Sequence, residues 1–117
     1  MKSLIITASA LSIALGADGV QAHAFLDHAE PSVGSTVQAA PRELSLSFTQ
    51  DLEPAFSSVE VRDASGTKVD QGKARISASS MRIGLKPLPP GSYTVHWRAL
   101  SVDTHKTEGS FNFHVGH

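Results

Sequence analysis

Cysteine is absent from the 117 residues of this chain, and that absence excludes more than disulfides. Without thiolates there is no cysteine-based zinc site, iron–sulfur cluster or type I copper centre. A small domain with no staple must rely on its core, which favours a compact sheet sandwich over a loop-rich fold. Methionine is nearly missing as well, with Met81 the single one after Met1. Charge of one sign is also missing. Ten basic and 11 acidic residues leave a net charge of −1, which gives no reason to expect nucleic acid or an anionic membrane surface as partner. Nucleophile-elbow and Gly-rich phosphate-loop sequences are lacking too. The carboxylates are scattered singly, and Glu53, Glu60 and Asp70 read as solvated charges.

What is present begins with a leader. Lys2 supplies a positive start, and Leu4 to Ala17 forms an apolar run of Ala, Ile and Leu interrupted by Ser and Thr. That run is too short to span a bilayer core of roughly 30 Å, and it reads as the apolar region of a signal peptide. Val20-Gln21-Ala22 places small side chains at −3 and −1, so residues 1–22 are expected to be removed and residues 23–117 to form one exported domain. Past the leader no apolar run approaches spanning length, and the trimmed chain is not expected to cross a membrane.

The rest reads as short strands separated by turns. Leu44, Leu46 and Phe48 alternate with Ser45, Ser47 and Thr49; Val59 and Val61 repeat the pattern, followed by the turn Asp63-Ala64-Ser65-Gly66. Met81, Ile83 and Leu85 come next, then Tyr93, Val95, Trp97 and Ala99, and finally Phe111, Phe113 and Val115. A period of two marks half-buried strands. No window carries a capped helical period, and residues 32–41 are rich in Gly, Pro and small polar residues. Six or seven such strands predict an all-β domain, an antiparallel Greek-key barrel or immunoglobulin-like sandwich, with Trp97 and the phenylalanines supplying most of the core.

Cleavage after Ala22 would make His23 the first residue. A terminal amine has a pKa near 7.7–8.0, so a metal displaces its proton at modest cost near neutral pH. The amine and the Nδ1 of the same residue then close a six-membered chelate whose donors are already joined. Eighty residues on, Asp103-Thr104-His105 offers a carboxylate and a second imidazole. If strand geometry persists there, the two side chains share a face. The carboxylate then serves as oxygen ligand or as the group that orients the ring. Nitrogen and oxygen donors in a tetragonal set suit Cu(II). Taken alone, Asp-Thr-His is equally an ordinary polar turn. His96 and His114 fall out of phase with the apolar residues beside them and face outward; His117 ends the chain. His28 shares phase with Leu26, which leaves it partly buried or near the metal.

These residues resemble the CopC-type periplasmic copper-binding proteins. His23-Ala24-Phe25-Leu26 with Pro31 and Gly34 is similar to that family's opening signature, and Gly91 to His105, with Gly109 and Phe111, to its closing one. Leu46-Ser47-Phe48 and Phe56-Ser57-Ser58-Val59 resemble its middle strands. The resemblance implies a periplasmic carrier that holds one Cu(II) with His23, Asp103 and His105. It also implies a CopD-like inner-membrane protein as partner, and copper sequestration or delivery in place of catalysis. Two departures stand out. Some members carry a Cu(I) site in a Met-rich loop, whereas residues 62–82 here hold Met81 alone, so no separate Cu(I) site is expected. Gln50 stands where some relatives place an acidic residue near copper, and water is expected to fill that position. Two rivals remain: a histidine-brace copper oxidase or monooxygenase, which needs an open coordination position, and a metal-free interaction module.

Overall fold

A computed structural model describes residues 25–117; the leader and His23 lie outside the described residues. Among the described residues, eight strands form two four-stranded sheets. They are β1 (Leu26–Glu30), β2 (Thr36–Val37), β3 (Glu43–Phe48), β4 (Ser58–Asp63), β5 (Asp70–Ser77), β6 (Ser80–Leu85), β7 (Gly91–Leu100) and β8 (Lys106–Val115). The first sheet runs β1-β3-β6-β5 and the second β2-β8-β7-β4. All pairings are antiparallel except β2 with β8. A single 3₁₀ turn, Pro54–Phe56, is the helical element among the described residues. The all-β sandwich expected from the alternation is what forms.

The inward residues are the ones the period of two selects. Leu44, Leu46 and Phe48 meet Met81, Ile83 and Leu85 in the first sheet, and all six are buried. Val59 and Val61, then Tyr93, Val95, Trp97 and Ala99, then Phe111, Phe113 and Val115 line the second. The Phe48 and Trp97 rings meet edge to face across the two sheets at 5.0 Å between centroids, and Tyr93 stacks on Phe113 at 5.4 Å. Each such side chain stabilises the fold by about 1.5–3 kcal/mol when fully buried. The aromatic share is smaller than expected. Aliphatic residues supply most of the buried set, and Phe56 lies 70% exposed on its turn. Gly109 pairs with Trp97, and a Cβ there would sit 2.8 Å from the indole ring, so the ring occupies the space a side chain would take.

The structure adds to or departs from the sequence reading at four places. Residues 32–41 hold a short strand that their composition does not announce, because Thr36 and Val37 pair with His114 and Val115. Strand β5 has no clean alternation. It is an edge strand bearing Lys73 and Arg75, with an irregular register between Gln71 and Arg75 around Gly72 at φ 76°; exposed charge on an edge discourages further strand pairing. A register irregularity between Leu26 and His28 shifts the phase of β1, so Ala29 is buried and His28 faces solvent beside Glu30, at 3.4 Å.

Asp70 is the fourth, and no solvated charge: it is 3% exposed. Its Oδ2 accepts the Val61 N–H at 2.7 Å, and Oδ1 lies 3.4 Å from Lys68 Nζ. The carboxylate thereby supplies an edge amide of the second sheet with the partner that burial demands. Glu60 sits in an exposed row with Arg62, at 3.0 Å, and His96, at 4.0 Å, and the other side of the His96 ring is 3.2 Å from Glu108. His96 faces outward, as its phase requires.

Candidate metal centre

The hairpin joining β7 to β8 is closed by two backbone hydrogen bonds. Ser101 N–H donates to the His105 carbonyl at 3.0 Å, and Thr104 N–H to the Ser101 carbonyl at 2.8 Å. This is a three-residue loop whose last residue takes the left-handed conformation. Thr104 occupies that position at φ 71°, where a residue with a Cβ costs about 1–2 kcal/mol. Asp103 and His105 are therefore brought together by a turn and not by the extended backbone that the sequence suggested.

They do meet. His105 Nδ1 lies 3.3 Å from Asp103 Oδ1, and both side chains are about half exposed. Beneath them Ser101 is fully buried, with its hydroxyl bonded to the same Asp103 Oδ1 and 3.3 Å from the His105 N–H that points at it. The Ser101 hydroxyl is the main reason the Asp103 carboxyl is held below the usual carboxylate range; partial desolvation works against it, and the His105 ring adds to the lowering. Reading the sequence missed Ser101. Its signal was a hydroxyl two residues before an aspartate at a strand end, a pairing that local turns favour.

The other edge of the site is reached through residues 49–52. Phe25 N–H donates to Thr49 Oγ1 at 2.9 Å, and Thr49 N–H returns to the Phe25 carbonyl at 2.9 Å. Two residues on, the Asp51 carbonyl accepts the Val102 N–H at 3.1 Å, and Leu52 bridges to Ser101. Gln50 thus sits on a short splint between Phe25 and the hairpin. His28 is placed elsewhere, facing out from the first sheet. Among the described residues no three histidine or carboxylate side chains gather into a metal-sized group, so the described part of the candidate set is the pair Asp103 and His105. An imidazole nitrogen and a carboxylate oxygen suit borderline divalent ions, Cu(II) foremost.

Comparison with known proteins gives these residues a context. The CopC domain model matches residues 26–116. The copper transport protein CutJ of Bacillus subtilis is 30% identical over 81% of this chain, which corresponds to 18% of CutJ. CopC from Methylosinus trichosporium OB3b has a similar structure, with a TM-score of 0.75 at 35% identity, covering 80% of this chain and 94% of that one. The methionine-rich copper resistance protein PcoC of Escherichia coli follows with a TM-score of 0.71 at 34% identity, over 80% and 98% of the two chains. With the family model spanning the sandwich and the Asp103–His105 hairpin together, the chain belongs to the CopC family.

Proposed function

We propose that the trimmed protein, beginning at His23, is a periplasmic carrier of one Cu(II). The His23 amine and imidazole supply one half of the ligand set, and Asp103 and His105 the other. The carrying observation is that Phe25, two residues after His23, and the hairpin bearing Asp103 and His105 are both hydrogen-bonded to residues 49–52. Phe25 is fixed to Thr49, the hairpin is fixed to Asp51 and Leu52, and two residues of chain reach at most about 7 Å. A short reach of this kind supports a terminal chelate at His23 that meets the hairpin. In this reading Asp103, whose Oδ1 lies 3.3 Å from His105 Nδ1, serves either as an oxygen ligand or as the group that orients the ring. A carboxylate in the set stabilises the oxidised ion, which supports a carrier over a redox enzyme; peroxide-dependent turnover by the copper-loaded protein would count for the enzyme.

PcoC is named as methionine-rich, whereas Met81 of this chain is fully buried between the sheets. That contrast supports a carrier of the oxidised ion alone. A matching domain inside a chain named for copper transport supports delivery to a membrane transport protein of CopD type.

The test compares two chains by Cu(II) titration and electron paramagnetic resonance, one starting at His23 and one carrying a single extra residue ahead of it. The extra residue should weaken binding and change the spectrum. Equal affinity with an identical spectrum means that the terminal amine is no ligand.

A further inference from the structure

A second hairpin with the same backbone lies between β4 and β5. Asp63 N–H donates to the Thr67 carbonyl at 2.9 Å, Gly66 N–H to the Asp63 carbonyl at 2.9 Å, and Gly66 takes the left-handed position at φ 86°. Position by position it matches Ser101 to His105, with Asp and Ser exchanged. At residues 63 and 65 the order is Asp then Ser; at 101 and 103 it is Ser then Asp. In both, the side chain at the first position receives the N–H of the fifth: Thr67 N–H reaches Asp63 Oδ1 at 2.9 Å, and His105 N–H faces Ser101 Oγ at 3.3 Å. In both, a hydroxyl–carboxylate contact links the first position to the third.

The exchange decides what the carboxylate can do. With Asp first, its Oδ1 takes the Ser65 N–H at 3.0 Å, the Ser65 hydroxyl at 2.7 Å and the Thr67 N–H, and is used up inside the turn. With Ser first, the hydroxyl closes the turn and the carboxylate moves to the third position, beside the imidazole of the fifth.

From this we infer that Ser101 is a positioning residue for copper. Its buried hydroxyl satisfies the hairpin and tethers Asp103 Oδ1, so that carboxylate and imidazole are presented together before the metal arrives. A ligand pair ordered in advance loses less freedom on binding. The inference rests on the reading of Asp103 and His105 as ligands.

The experiment uses the chain beginning at His23. Cu(II) affinity by chelator competition and the electron paramagnetic resonance spectrum are measured for the wild type, S101A, D103A and the S101A/D103A double variant. Thermal unfolding of each metal-free form is followed alongside. S101A should remain folded at 25 °C, lose about 10–100-fold in affinity as supporting residues typically do, and show altered copper hyperfine splitting. In the double variant the loss should equal that of D103A alone, because the hydroxyl acts through the carboxylate. Wild-type affinity and spectrum in S101A would overturn the inference. So would losses that multiply in the double variant, or an S101A that cannot fold, since the hydroxyl would then serve the hairpin alone. A wild type that takes up no Cu(II) defeats the carrier reading itself.

Discussion

The hairpins at Asp63–Thr67 and Ser101–His105 share a loop length, a pair of closing hydrogen bonds and a residue in the left-handed region, and they differ in what fills five positions. In the first, Gly66 takes the left-handed conformation without cost and one carboxylate oxygen is held by three hydrogen bonds within its own turn. In the second, a threonine bears the strain, the carboxylate stands half exposed, and a histidine follows it. The first is built to be stable. The second gives up some stability to hold a carboxylate and an imidazole together at the surface.

Substitutions at matched positions should separate the two most sharply. His105→Ala and Asp103→Ala are each expected to lower Cu(II) affinity by at least the 10–100-fold typical of metal-site shells, read by chelator competition. Thr67→Ala and Asp63→Ala should leave copper binding unchanged while Asp63→Ala lowers the melting temperature. The outward His96→Ala serves as a further control, and a large copper loss there would show that the metal lies elsewhere.

A smaller effect concerns the left-handed residues. Thr104→Gly should raise the stability of the metal-free protein by about 1 kcal/mol, and Gly66→Ala should lower it by about the same amount. Denaturant titration of the two variants checks both signs; a Thr104→Gly that destabilises would mean that the threonine side chain contributes more than its backbone costs.

The smallest effect is on pH dependence. Both carboxyls are held below the usual range, Asp63 chiefly by the Ser65 hydroxyl and Asp103 chiefly by that of Ser101. A group whose folded-state pKa is depressed contributes stability above its unfolded value of about 3.9, and loses it as pH falls through the folded value. Melting curves of the metal-free protein between about pH 5 and pH 2 should therefore flatten in Asp63→Ala and in Asp103→Ala. An unchanged slope in either would show that its hydroxyl contact does not persist in solution.

How much of this was legible in the residues follows from the physics of each element. Strands with one face on the core announce themselves by alternation, which is why β3, β4, β6, β7 and β8 were found. Strand β5 was not, because an exposed edge strand has no apolar face to show, and neither was the two-residue β2. Asp70 misled for another reason: a lone acidic residue gives no sign that a backbone N–H will be buried against it. The phase of His28 was lost to one register irregularity. At the site, residue type pointed to Asp103 and His105, but the turn that joins them depends on a threonine in a conformation that sequence statistics disfavour, and the support from Ser101 depends on burial.

One further consequence follows from the bare backbone at Gly109. The indole that fills that space belongs to Trp97, the sole tryptophan of the chain, so emission excited at the red edge of protein absorption comes from one defined position. It sits four residues before Ser101 on β7, roughly 13 Å along an extended strand. If Cu(II) sits at the proposed site, its quenching of that indole lets loading and release be followed by light, label-free, in the unaltered protein.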